Sequence, residues 1–305
     1  MPSPRAAAAL VLLGVVGLAG CDTSSSPHAL RVATTTGVAL SSEGATPAAA
    51  PTVASCPTPD ANTTPAEAWA AAVSALEGAD TSTYRVRSET ALPVGTLTRS
   101  ITVRVDESTQ RAEFAGSFSA HKKGGEPVQT SVTLVMDGDE GYVHSPAWTG
   151  RQRGKWLRVN QALLAEAEIP LELQAVSSLP PQLASLEPHG VRELHGLRVI
   201  DGRISAEDGL SLLGLSHVAA KDPQLAESLT GMLGVSARLN NAGCLDTVEL
   251  SGENSQVTGS SEAVPAAVLD ALIRASTTVL YISSVGAPQS IAVPPPDAIV
   301  DGGRI

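Results

Sequence analysis

Cysteine is the residue type with the most chemistry to offer in this chain, and its three copies stand in different settings. Cys21 ends the tetrad Leu18-Ala19-Gly20-Cys21, a branched residue, two small residues and a thiol, directly after the apolar run Ala6 to Leu18. That order has the form of a lipobox, in which the cysteine sulfur takes a diacylglycerol and becomes the first residue of an exported, lipid-anchored chain. Cys56 and Cys244 then remain as an even pair in an oxidising compartment, and a disulfide between them is expected. Closing so long a loop would contribute roughly 3 to 5 kcal/mol in the chain-entropy model. Neither cysteine has a CxxC partner or a neighbouring His that would suggest metal or redox work.

Other reactive groupings fail on spacing. Gly214-Leu215-Ser216-His217-Val218 approaches a nucleophile elbow, but Val218 stands where a second glycine must permit the tight strand-to-helix turn. Asp137-Gly138-Asp139-Glu140-Gly141 has acidic residues at alternate positions yet lacks the remaining ligands of a calcium loop, and reads better as an Asp-Gly hairpin turn. The 6 histidines are scattered, with His189 and His195 flanking one expected strand, Val191 to Ile200. No P-loop, HExxH or Rossmann glycine fingerprint is present. The expectation is a non-enzyme with no catalytic residues, no bound metal and no cofactor.

The chain that carries these residues divides into three parts. Residues 1–20 have a basic start at Arg5 and a hydrophobic stretch shorter than the ~20 residues a membrane span needs, which reads as a signal peptide. Residues 21–64 turn to Ser, Thr, Pro and Ala without periodicity, a composition that cannot bury enough surface to offset its ordering entropy. As a flexible tether this stretch would reach roughly 35 Å.

The folded part, 65–305, opens with the capping box Thr64-Pro65-Ala66-Glu67 and a helix through Trp69, Val73 and Leu76. Strands are expected at Thr83 to Thr90, Thr96 to Asp106, Gln110 to Ser119, Val128 to Met136, near Tyr142 and Val143, and at Trp156 to Val159. In the second, Leu97, Ile101, Val103 and Val105 share one face while Thr98, Ser100, Thr102 and Arg104 share the other, as in an antiparallel strand with one wet side.

The period then becomes helical over Asn160 to Glu168, Leu171 to Leu179 and Pro181 to Glu187. A helix opens at Ser205, and another is capped by Asp222-Pro223 and carries Leu225, Leu229, Met232 and Leu233 up to Gly234. Strands return at Val235 to Leu239, Leu245 to Leu250 and Thr277 to Ser283. Ala263 to Ser276 suits helix or strand equally, and a proline-rich extended tail closes the chain.

Composition narrows the function class. An apolar fraction of 43% is enough for a real core, but aromatic residues make up only 3%, so that core is aliphatic. A net charge of -11 argues against nucleic acid or an anionic membrane surface as an electrostatic partner, because both reward basic patches, and no nucleic-acid partner is expected.

Helix, run of strands, helical insert and closing strands, combined with the lipobox, give an order that resembles the LppX/LprAFG family of actinobacterial envelope lipoproteins, which share the LolA-like fold. Gly141-Tyr142-Val143 followed by Gly154-Lys155-Trp156-Leu157-Arg158-Val159 is similar to the family's paired central strands. Tyr281 through Gly286-x-Pro288 to Ile291-x-x-Pro294-Pro295 and Val300-Asp301 is similar to its last hairpin and tail. The likeness covers about Pro65 to Asp301; the Cys56 and Cys244 pair and the leucine-rich insert depart from it.

The resemblance implies an α+β fold, a curved antiparallel β half-barrel with helices packed across the concave face. It also implies an apolar cavity for acyl-chain lipids or glycolipids, at the extracytoplasmic face of a cell membrane, with an envelope transporter as a further partner. The inward candidates are Tyr84, Val86, Ile101, Val103, Val105, Phe114, Phe118, Val132 and Leu134, with Leu213, Leu229 and Leu233 as helix-borne cover. A carrier needs no reactive group, because each buried CH₂ of an acyl chain is worth ~0.8 kcal/mol. Two alternatives stand beside it. The twelve side chains could pack against one another as a closed core, or the fold could serve an anchored sensor or interaction protein that binds a protein partner.

Overall fold

The computed structural model describes Cys56 and residues 62–160, 179–215 and 222–301. The lipobox, the signal peptide, most of the tether, residues 161–168 and 171–178 of the expected helices Asn160 to Glu168 and Leu171 to Leu179, and Ser216 to Val218 lie outside the described residues.

Helix α1 (Pro65–Glu77) starts as its capping box dictates. The Thr64 Oγ1 accepts from the Glu67 N–H at 3.2 Å, and the Glu67 carboxylate accepts from the Thr64 N–H at 2.9 Å. Its apolar stripe of Trp69, Val73 and Leu76 is buried together with Ala68 and Ala72. Six strands follow: β1 (Thr81–Leu92), β2 (Gly95–Asp106), β3 (Arg111–Lys122), β4 (Val128–Asp137), β5 (Glu140–His144) and β6 (Trp156–Asn160). Each pairs antiparallel with the next.

After helix α2 (Leu179–Ala184) come β7 (Glu187–Leu194), β8 (Leu197–Ser205), the short helices α3 (Ala206–Leu212) and α4 (Pro223–Ser228), and then β9 (Met232–Leu239) and β10 (Leu245–Ser251). Helix α5 (Ala266–Arg274), β11 (Ser276–Ser283) and β12 (Ile299–Asp301) complete the chain. All twelve strands join one sheet in the order β12-β6-β5-β4-β3-β2-β1-β11-β10-β9-β8-β7. The sheet is open and curved, and the fold is α+β. Among the described residues the one parallel pair is β12 with β6, and the first and last blocks of strands meet where β1 pairs with β11.

Two expectations need correction. Val191 to Ile200 is not one strand but the turn of the β7–β8 hairpin, because His195 and Gly196 take φ of 52° and 78°, the paired positive values of a two-residue hairpin loop. The helix capped by Asp222 stops at Ser228, so Leu233 is not helix-borne: it lies in β9. The Asp222 signal is local, whereas Met232–Leu239 pairs with β8 on one side and β10 on the other, and that tertiary pairing outweighs helix propensity. The ambiguous stretch Ala263 to Ser276 resolves as α5, which buries Leu269, Leu272 and Ile273.

The helices sit on one side of the sheet. Helix α3 lies across it, with Gly209 against Leu233 of β9 and the Leu212 carbonyl 3.5 Å from Arg99 Nη2 of β2. Helix α1 is fastened to α2 by the Trp69 indole N–H, which donates to the Leu183 carbonyl at 3.1 Å. One large hydrophobic cluster runs through these helices and the inner face of the strands from β1 to β11. On the opposite face a small cluster of Val135, Tyr142 and Ile291, bordered by Trp156, Val293 and Ile299, seats the closing tail over β4 to β6. The Cys56–Cys244 disulfide is present, with Cα atoms 5.0 Å apart, and joins a residue of the expected tether to the chain just ahead of β10.

Candidate functional site

Register decides which side chains share the inner face. Tyr84, Val103, Phe114, Leu134, Val143 and Leu157 are successive Cα partners from β1 to β6 and form one row across the sheet. Val86, Ile101, Gly116 and Val132 form the next row, and on the other side Val86 faces Leu280 and then Val248. Nine strand candidates from the sequence, Tyr84, Val86, Ile101, Val103, Val105, Phe114, Phe118, Val132 and Leu134, therefore fall on one face, as alternation requires.

The helix side contributes Leu213, which follows α3, and Leu229, which follows α4, while Leu233 adds to the face from β9. Eight of the twelve are fully buried, and Val105, Phe118, Val132 and Leu229 are half-buried at the margin of the cluster. Gly116 makes room for one of these: a Cβ there would stand 3.2 Å from the Phe118 ring and 3.7 Å from Val132. The Phe118 ring thus lies flat along the sheet beside Val132.

Polar groups gather on this face across β1, β2 and β11, which sequence reasoning missed. The row below Val86 carries Ser88 on β1, Arg99 on β2 and Thr278 on β11, and the next carries Thr90 and Ser276, all buried. Ser88 Oγ and Thr278 Oγ1 are 2.8 Å apart, Thr90 Oγ1 and Ser276 Oγ 2.9 Å, and Arg99 Nη2 donates to Ser88 Oγ at 3.0 Å. The signal was available, since Arg99 falls between Leu97 and Ile101 in the alternation. Gly214, at φ +75°, packs against the Arg99 guanidinium, where a Cβ would come within 2.2 Å of Cζ. A side chain there would strain the backbone and displace the buried arginine. The Tyr84 phenol is pushed up by burial, partly offset by a hydrogen bond with Ser82, so it stays neutral on the apolar face.

On the opposite side of the sheet, β7 to β10 form a polar groove of about 440 Å³ that includes His189, Arg192, Asp201, Arg203, Ser236 and Glu249. Arg192 Nε donates to Asp201 at 2.9 Å and its Nη2 to Ser236 Oγ at 3.1 Å. His189 lines this groove, while His195 sits in the β7–β8 turn, so the two do not converge. Among the described residues no group of three or more His, Cys, Asp or Glu is placed to hold a metal ion. No described helix is long and apolar enough to cross a membrane.

No known protein-family profile matches the chain, and no curated protein does. Among solved structures it is similar to LprF from Mycobacterium bovis, at 14% identity and a TM-score of 0.41 over 75% of this chain and 96% of that one. It is also similar to the Mycobacterium tuberculosis lipoprotein LppX, at 13% identity and a TM-score of 0.36 over 75% of this chain and 98% of that one. A DUF1329 family protein from Desulfovibrio piger follows at 10% identity and a TM-score of 0.26, covering 72% and 90%. The first two carry names of the family that the sequence resembles. At these scores the likeness carries no argument for function.

Proposed function

We propose that this protein is a membrane-anchored envelope lipoprotein that binds, and transfers, acyl-chain lipids or glycolipids on the inner face of its curved sheet. The observation that carries the reading is the set of aliphatic rows that together cross the inner face from β6 to β8 beside the Ser88–Arg99–Thr278 cluster, with a half-buried margin at Phe118, Val132, Val105 and Leu229. Such a margin can exchange side-chain contacts for contacts with an alkyl chain, and burial of that chain supplies the affinity without any reactive group. Cys21 holds the carrier at the membrane, where a diacylglycerol provides the two chains that stable anchoring takes. No step of this function is catalytic.

Val132 is the residue that tests it. It is only half-buried on β4, so Val132→Asn is expected to fold, and the amide places an unsatisfied polar group on the lipid face. Fluorescent fatty acid should bind the parent chain and bind Val132→Asn about tenfold more weakly or worse. A parent chain that takes up no probe, or a folded variant that takes it up unchanged, contradicts the proposal.

The polar groove over β7 to β10 favours a second reading, an anchored sensor that recognises a protein partner through Arg203, Glu249 and the Arg192–Asp201 pair. That reading requires no lipid uptake, and the same titration separates the two.

A further inference from the structure

Two hairpin tips stand side by side at one end of the sheet. The β1–β2 turn, Pro93-Val94, and the β3–β4 loop, Lys123 to Pro127, are joined by the Lys123 N–H, which donates to the Val94 carbonyl at 3.0 Å. Gly95 makes the approach possible, since at φ +156° a Cβ there would stand 2.2 Å from the His121 carbonyl oxygen. Val94 is 43% exposed and Val128 59% exposed. Around them His121, Lys122 and Lys123 are exposed, and Glu126 is the one acidic residue in the two segments 91–96 and 120–129. Two of the chain's four lysines are thus gathered at one point of a protein whose net charge is -11. The other exposed apolar pair, Val191 and Leu194 on β7, brackets Glu193 and an Arg192 that is paired with Asp201, and lacks this character.

Exposure falls away from the tip toward the core. Along the inner face of β4 it passes from Val128 at 59% through half-buried Thr130 and Val132 to Leu134 at 3%. Alongside, β3 presents Ala120, Phe118, Gly116 and Phe114.

We propose that these paired tips dock on an anionic phospholipid surface and form the lip across which an acyl chain passes onto the inner face. The lysines meet lipid phosphates while Val94 and Val128 enter the headgroup boundary, the combination that draws basic amphipathic surfaces to anionic bilayers. The passage of cargo, though not the docking, rests on the lipid-carrier reading. Cys244, where the disulfide fastens the tether, lies at the opposite end of the strands. The roughly 35 residues between Cys21 and Cys56 extend to about 120 Å, against about 40 Å for a twelve-residue strand, so the tips reach the bilayer that holds the anchor.

Vesicle flotation of residues 21–305 carrying Cys21→Ser, which has no lipid of its own, tests the docking. Binding should be strong to mixed phosphatidylglycerol and phosphatidylcholine vesicles, weak to phosphatidylcholine alone, and reduced by added salt. Lys122→Gln with Lys123→Gln should weaken it about 30-fold, and Val94→Ser with Val128→Ser should weaken it on both vesicle types. The lysine pair should not change uptake of fluorescent fatty acid from water. No vesicle binding, or binding unchanged in the lysine pair, overturns the inference. Normal docking without any fatty-acid uptake would leave the lip as a membrane contact and refute the carrier reading instead.

Discussion

Asp106 shows how single side chains hold the strand ends. It closes β2 with its carboxylate accepting from Ser108 Oγ at 2.6 Å and from the Thr109 N–H at 3.2 Å. These bonds, that of Ser108 foremost, hold its carboxyl below the usual range. A depressed carboxylate contributes stability that is present above its unfolded value of about 3.9 and lost as pH falls through the folded value. Ser108→Ala should therefore lower unfolding free energy at pH 7 by about 1 kcal/mol, with the difference in urea midpoints closing as pH falls through the lowered titration of Asp106. A difference that stays constant into acid would show that Ser108 acts through packing. Arg99 makes a different point at the same scale: a guanidinium on an otherwise apolar face is held by Ser88 and by the backbone around α3, which fixes where that helix crosses the sheet.

Between elements, the disulfide closes a loop with a sequence separation of 188. Replacing Cys56 and Cys244 together with Ser should cost roughly 3 to 5 kcal/mol in the chain-entropy model, read from urea unfolding with and without reductant. An identical midpoint for the parent under both conditions would mean that the bridge does not form in solution. This pairing was legible because compartment and cysteine count left one partner for each thiol. Strands β2 and β4 were legible too, since apolar alternation over ten or more residues has one interpretation. The end of α4 and the identity of Leu233 were not: Asp222 and Pro223 announce a helix locally, and the partners that draw Met232–Leu239 into a strand are β8 and β10. The joining of β1 to β11 was equally hidden, because it brings residues about 190 apart together and no local pattern encodes it.

For the whole molecule, one sheet serves three purposes on three surfaces. Its inner face is aliphatic, its outer face carries the closing tail at one end and a polar groove at the other, and its hairpin tips are basic and apolar together. These three surfaces are what the proposed carrier would need in order to approach a bilayer and shelter an alkyl chain. Alternation made the apolar face legible in the sequence, while the tips emerged only once register placed Lys123 against Val94. The most direct measurement is native mass spectrometry of residues 21–305 with Cys21→Ser, isolated from a lipid-containing host. The account predicts a population heavier than the polypeptide by masses that fragment to acyl-chain lipids; a bare chain that also fails to retain added fatty acid would contradict it.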